Sequence, residues 1–187
     1  MKVNNQLPVI TSFFSEDGKY RYWLKVELDP NLEPSLCAFM LNPSVAGSIS
    51  PNGQVRSDNT VTRMYRRAQR KGYGRLYVLN LFALVSTDPK ALYDSADPVG
   101  PDNDRYIDQI LSKNPAIVVA WGRHGRFLER DSACHKQIYA HHITPHCLGL
   151  TEEDFPFHPS RRAYSIPFQP YRGRFAQPSD ELVMPQP

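Results

Sequence analysis

The sequence predicts an α/β fold, a three-layer sandwich with helices on both faces of a central, mainly parallel four-stranded sheet. Three observations carry that expectation. Four apolar runs, 36–41, 76–79, 116–120 and 147–150, are short and continuous, the pattern of strands covered on both faces. Helical segments alternate with them, as parallel crossovers require. Each run also ends in a polar signature: Asn42-Pro43-Ser44, Asn80, Trp121-Gly122, and Thr151 with His158-Pro159-Ser160 close behind. Ligands of open α/β sheets bind outside the carboxyl ends of the strands. The four signatures therefore imply one composite site.

The elements follow in chain order. Tyr20–Leu28 alternates as an antiparallel or edge strand does and is closed by Asp29-Pro30-Asn31. Leu36–Leu41 is the first buried strand. Residues 43–57, rich in Pro, Ser, Gly and Asn, form a long loop of the kind that is often functional. Asp58 suits a helix N-cap, and behind it Val61, Met64, Tyr65 and Ala68 recur at helical spacing until Gly72. Arg75–Leu79 is the second buried strand. Thr87–Tyr93 predicts a short helix with proline near its start. Asp97-Pro98-Val99-Gly100-Pro101 is a turn, and a helix is expected over Asp102–Lys113. Ala116–Ala120 is the third core strand; a helix from Arg123 or His124 to about Tyr139 and a fourth strand near His146–Leu150 complete the pattern. After Ser165 the Pro- and Gly-rich chain reads as coil, loose beyond about Gln177.

The 187 residues suit a single domain, 1–187, with residues 1–20 and the tail beyond 177 peripheral. A hydrophobic fraction of 41% with 22% charged residues is ordinary for a globular protein. No apolar run approaches the ~20 residues that span a bilayer, and Met1–Ile10 lacks the pattern of a signal peptide. A cytoplasmic protein with no membrane partner is expected.

Cys37, Cys134 and Cys147 form no CxxC pair, and a buried free thiol is the reading for the two in strand runs. His135, His141, His142 and His146 crowd near Cys134 and Cys147, yet no pair has convincing ligand spacing. No metal and no cofactor are expected. Net charge is +3, with positive charge clustered at Arg63, Arg66, Arg67, Arg70 and Lys71 and again at Arg161, Arg162, Arg172 and Arg174. Such clusters either hold phosphates or form solvated faces. For the first cluster, the wet face of the 58–72 helix is the simpler account.

Taken singly, the signatures are bland. Asn-Pro-Ser is a common turn, Asn80 a plain strand end, Trp121 a core ring, and a loop histidine usually structural. Their chemistry is still specific. An amide offers both a donor and an acceptor for a base edge. A glycine opening a helix admits an anion to the backbone amides. A histidine in a rigid Pro-Ser loop supplies a titratable donor.

In order, these segments resemble the uracil-DNA glycosylase superfamily through Met40-Leu41-Asn42-Pro43, Tyr77-Val78-Leu79-Asn80, Ala120-Trp121-Gly122 and His158-Pro159-Ser160. The first motif departs from that superfamily, with Met40 in place of its glycine and Ser44 after the proline. Over about Tyr22–Arg162 the chain more closely resembles the DUF1643 family. That resemblance is carried by Leu41-Asn42-Pro43-Ser44, Asp58 and Thr60, Asn80-Leu81-Phe82-Ala83-Leu84, and Thr87-Asp88-Pro89. It continues through Asp97–Pro101 with Asn103 and Asp104, Trp121-Gly122 and Gly149-Leu150-Thr151.

The glycosylase resemblance implies a glycosylase-like fold and a role for each matching residue. Asn42 would position the water that attacks the sugar carbon, and Asn80 would hydrogen-bond an extruded base, with Ser44 beside them. His158 would donate to the base as charge develops on it. Phe82 or Trp121 would supply a stacking wall. Ser160, Arg161, Arg162 and Arg123 would meet the DNA backbone or duplex, where related enzymes often carry an apolar wedge. Asparagine has no useful pKa and can only orient water, which favours a modified or damaged base that leaves readily.

Thr87, Asp88 and the Asp102–Asp104 group have no glycosylase role and read as helix caps. The expected activity is excision of a modified or damaged base from DNA by a monomer, leaving an abasic site, in repair or in defence against modified foreign DNA. The alternatives are hydrolysis of a free nucleoside or nucleotide, and a module that binds a modified base without cutting it.

Overall fold

The computed structural model describes residues 9–44, 59–88 and 90–173, with Arg161 described by its backbone alone. Seven strands form one mixed sheet: β1 (Val9–Phe14), β2 (Arg21–Glu27), β3 (Ser35–Met40), β4 (Arg75–Asn80), β5 (Ala116–Val119), β6 (His146–Cys147) and β7 (Gln169–Pro170). Their spatial order is β1-β2-β4-β3-β5-β6-β7. The helices are α1 (Asn59–Arg70), α2 (Ala91–Asp94), α3 (Asn103–Leu111) and α4 (Arg130–Ala140).

The four apolar runs do make the parallel block, β4-β3-β5-β6. The expected four-stranded sheet is nonetheless too small, because three antiparallel strands extend it. β2 lies between β1 and β4 and pairs antiparallel with both, so it is internal. Residues 9–14 are therefore part of the sheet, not a peripheral lead. β1 gives little sequence signal because an outer strand is only half covered, and its residues alternate between exposed and partly buried. At the other side β7 pairs with β6, and Tyr171 beside it is buried, where coil was expected after Ser165. Pro170 is compatible with an outermost strand, which has no neighbour on its far side.

Side-chain alternation sorts the core into two layers. Cys37, Phe39, Leu79, Ile117 and Val119 face α3 and α4 through Ile107, Leu111, Cys134 and Ile138. Leu36, Ala38, Leu76, Val78 and Val118 face α1 through Val61, Met64 and Ala68. The three-layer arrangement follows, and each fully buried Leu or Val contributes about 1.5–3 kcal/mol by leaving water. All three cysteines are free and buried, and burial pushes the Cys134 thiol up to about 12. Among the described residues no helix is long and apolar enough to cross a membrane.

The predicted stop of α1 holds, with Gly72 at φ +77°. Its predicted cap Asp58 and residues 45–57 of the preceding loop lie outside the described residues. The single helix expected over 123–139 is instead broken. A 3-10 turn over Arg123–Glu129 is interrupted where Phe127 is extended and Leu128 and Glu129 take φ +53° and +52°. Each left-handed non-glycine residue costs about 1–2 kcal/mol. What offsets it is visible on both sides of the break. The Phe127 ring packs 4.4 Å from Tyr93 and 5.8 Å from Phe82, while Arg130 turns inward to the end of β4. The fourth strand is also shorter than expected, because Gly149 at φ +118° takes the chain out of the sheet.

The topology has its switch point at one place. β3 runs through α1, on one face, to β4. β5 runs through α4, on the other face, to β6 on the opposite side. The carboxyl ends of the adjacent strands β3 and β5 thus flank the switch point at which open α/β sheets bind ligands.

Candidate active site

Backbone hydrogen bonds draw three of the four signatures to that edge. Met40 is in register with Asn80, and Leu81 and Phe82 amides donate to the Met40 and Leu41 carbonyls at 2.9 and 3.0 Å. The Ser86 amide donates to the Pro43 carbonyl at 2.9 Å. The segment after β3 is therefore stitched to the segment after β4. The Ala120 amide donates to the Phe39 carbonyl at 2.7 Å, and the Gly122 amide to the Pro156 carbonyl at 3.1 Å, two residues before His158. His158 itself starts a short 3-10 turn, Pro159–Arg161.

Asn42 uses its side-chain NH2 within the protein, donating to the Ser86 carbonyl at 2.9 Å and the Pro43 carbonyl at 3.2 Å. That fixes the amide and directs its oxygen away from both. Ser44, partly buried, follows on the same turn. Asn80 is only 1% exposed. Its side-chain oxygen accepts from Arg21 Nη2 at 3.1 Å, and its buried Nδ2 has no hydrogen-bond partner among the described residues. Leaving such a donor unmade costs about 1–3 kcal/mol, and the buried Asn103 Oδ1 at the same strand end is in the same state.

Three buried polar side chains to which sequence reasoning gave no part in the site hold the end of β4. Arg21 binds the Asn80 amide. Asn103 donates to the Asn80 and Leu81 carbonyls at 3.1 and 3.2 Å. Arg130 donates to the Leu81 carbonyl at 3.1 Å and pairs with Asp104. Asn103 and Asp104 were expected as helix caps. They serve the strand end instead, while Asp102 pairs with Arg105, and Asp88 alone behaves as a cap by accepting from the Lys90 amide. The usable signal was the recurrence of Asn103 and Asp104 in the DUF1643-like pattern.

Phe82 is fully buried in the α3–α4 side of the core, and Trp121 is nearly so, wedged edge-on between Phe39 and Tyr171 at 6.0 and 5.8 Å. Both rings pack the floor under the strand ends. The indole Nε1 of Trp121 is buried with no hydrogen-bond partner among the described residues. Gly125 permits this packing: a Cβ there would sit 2.4 Å from Trp121 Cδ1 and 2.9 Å from Leu81 Cδ1. Gly125→Ala is therefore expected to destabilise the fold by about 1–3 kcal/mol through overpacking. Thermal unfolding checks this; an unchanged midpoint would mean the close approach is not needed.

The exposed His158 ring is oriented by its own turn. Nδ1 lies 3.0 Å from Ser160 Oγ and accepts from the Ser160 amide at 3.4 Å, which places the proton of the neutral ring on Nε2. The Arg162 guanidinium lies 3.4 Å above the Phe157 ring. Of Arg161, the backbone alone is described. Arg123 is exposed and sits apart from His158, lining a cavity of about 450 Å³ with Tyr93, His124, Arg126, Glu153 and Phe155.

Arg66, Arg70 and Lys71 are exposed, as a wet face requires, but Arg63 and Arg67 depart from that expectation. Arg67 is 2% exposed and donates to the Arg162, Ala163, Tyr164 and Ile166 carbonyls at 2.7–3.4 Å. Arg63 donates to the Pro159 and Arg162 carbonyls. Arg63, Arg67 and Arg70 lie 4.5–5.3 Å from the Tyr164 ring centroid. Helical spacing sets these arginines along one stripe, but the partner is backbone, not phosphate. Burial, then the neighbouring Arg63, holds the Arg67 pKa below its ordinary value.

The histidines and cysteines near α4 do not converge; among the described residues no group of three metal-ligating side chains occurs. His141 Nε2 is 2.7 Å from Asp108. His135 is buried edge-on against Tyr139 at 4.6 Å and Tyr171 at 5.6 Å, and burial lowers its pKa, with Asp131 partly opposing. The unfolded chain thus takes up this proton first, and stability is lost as pH falls below about 6.5. The expected result is a thermal midpoint that falls from pH 7 to pH 5 and falls less in His135→Gln; equal slopes would contradict it.

No curated protein and no solved structure matches the chain. Residues 21–160 match the family model described as "Protein of unknown function (DUF1643)", and this chain belongs to that family.

Proposed function

We propose that the protein excises a modified or damaged base from DNA, through an arrangement of the uracil-DNA-glycosylase kind. The observation that carries the reading is Asn80. Its amide is locked by Arg21 at a strand end, buried, with an NH2 donor that no described group uses. A flipped base supplies the acceptor that such a donor lacks, and flipped bases are read through hydrogen bonds to their edges.

The chemistry follows from the neighbouring groups. The Asn42 oxygen accepts a hydrogen bond from a water and aims its lone pair at C1′ of the sugar. The new C1′–O bond forms as the N-glycosidic bond breaks, and the base leaves with the bonding electrons. His158 Nε2–H donates to the base carbonyl where negative charge accumulates. The water proton passes to solvent, since the Asn42 amide cannot hold it. With no general base, the rate depends on a base that already leaves readily. Arg162 and Ser160 flank His158 and suit contact with the DNA backbone, whereas Arg123 and Arg126 lie apart, in the cavity that also holds Glu153.

Two measurements separate this reading from its alternatives. Binding to a duplex should weaken steeply with salt, as phosphate neutralisation requires, whereas a hydrolase of free nucleosides would show no such slope. Free base should be released by the wild type and not by Asn80→Ala. Salt-sensitive binding without release would instead describe a recognition module.

A further inference from the structure

We propose that a groove set back from the strand ends, between the β1–β2–β4 face and α3, binds a planar base carrying a phosphate. The groove encloses about 570 Å³ and is lined by the rings of Phe13, Trp23, Tyr77 and Tyr106 together with Lys25 and Lys113. That volume lies within the ~300–1,000 Å³ range of small-molecule sites.

A β-bulge adjoins it. Phe13 is in register with Trp23 but Phe14 with Arg21, so Tyr22 is the extra residue. Bulges re-aim side chains, and here Tyr22 and Trp23 both contribute to the α3 side. The Tyr106 ring packs 4.9 Å from Tyr22 and 5.0 Å from Phe13, while Phe13 and Trp23 lie nearly parallel, 5.9 Å apart. From the helix come Tyr106, Gln109 and Ile110, at spacings of three and four that share one face, with Lys113 just beyond its end.

Packing alone does not account for this set. Phe13 stays 39% exposed and Trp23 and Tyr106 are half-buried, so these three rings border the groove, whereas Tyr77 belongs to the core beneath it. No lining residue is acidic. Lys25 has one carboxylate within reach, Glu27 at 3.2 Å, which Arg75 also claims at 3.0 Å. Lys113 Nζ lies 5.3 Å from the Tyr77 ring centroid. Positive charge is therefore in excess beside flat aromatic faces. Base–aromatic stacking contributes about 1–3 kcal/mol per base, and an ammonium binds phosphate as a point charge. Lys25 pairs across the sheet with Tyr77, three residues before Asn80, so the groove lies about 10 Å from the strand end. The inference does not rest on base excision.

The shared chemistry, a base with its phosphate, has two sources: a free nucleotide and a single strand. Trp23 reports directly through its fluorescence. Adenosine 5′-monophosphate should quench it saturably with half-saturation at about 1 mM or tighter. Adenosine should bind at least fivefold more weakly, and inorganic phosphate should leave the emission unchanged. The Lys25→Ala/Lys113→Ala protein should bind the monophosphate no better than adenosine, with its thermal midpoint unmoved. A short oligoadenylate that binds more tightly than the monophosphate identifies the strand as the source, and one that does not identifies the free nucleotide. Absence of saturable quenching by every probe would overturn the proposal. So would quenching that survives in Trp23→Phe, which would place the ligand at another site even where base excision is real.

Discussion

His158→Ala is expected to slow base release about 10²–10³-fold while leaving the thermal midpoint close to wild type. The magnitude is that of removing one donor from the site of developing charge. The near-constant stability follows from exposure: the residue is exposed and fills no core position. Asn42→Ala should be as damaging to the rate, but it also removes the bond to the Ser86 carbonyl, so part of its effect is structural. Asn42→Asp is not a mild change here, because it sets a carboxylate against the Pro43 and Ser86 carbonyls. Single-turnover release of base, with a melting curve beside it, checks both. A His158→Ala protein that releases base at the wild-type rate would remove this histidine from the chemistry.

The second large effect is on stability. Arg67→Ala should cost about 3–4 kcal/mol, since several carbonyls of residues 162–166 lose their donor together and each buried orphan costs about 1–3 kcal/mol. At roughly 2–4 °C per kcal/mol for a chain of this size, the thermal midpoint should fall by about 10 °C. Arg67→Lys should lie between, because one ammonium cannot reach the same spread of acceptors as the planar fork. Gln69→Ala, on the exposed face of the same helix, should change stability by no more than ~0.5 kcal/mol. Arg67 also ties α1 to the stretch that begins at His158, so its loss should slow base release as well. A midpoint equal to wild type in Arg67→Ala would show that the clasp carries no load.

The parallel block was legible because its strands are buried on both faces, and continuous apolar runs such as 36–41 have one simple reading. The outer strands were not. β1 alternates weakly because one side of it meets solvent, and β7 is two residues long inside a Pro-rich stretch. Helical periodicity located α1 and its exposed Arg66 and Arg70 but misassigned Arg63 and Arg67. Spacing shows which residues share a face, and it cannot show that a segment about 95 residues later covers that face. The break at 127–129 carries no Gly or Pro; it is imposed from outside, by the packing of Phe127 and the inward turn of Arg130.

The candidate site divides in the same way. Asn42, Asn80 and Trp121 were readable because strand ends locate them, and the hydrogen bonds at 40–43, 80–86 and 120–122 draw those three to one edge. Their supports were not readable. Arg21 lies 59 residues from the amide it holds, and Asn103 and Arg130 reach the same strand end from two helices. Phe82 and Trp121, read as stacking walls, lie within the core.

The most direct measurement is abasic-site formation by the wild-type protein on duplexes that are unmodified, uracil-containing, deaminated, hydroxymethylated or glucosylated. Abasic sites on one modified class, absent from the unmodified duplex and lost in His158→Ala, are the predicted result. No abasic sites on any of them, from protein that is folded and binds none in a salt-sensitive way, would contradict base excision and move the search to free nucleosides.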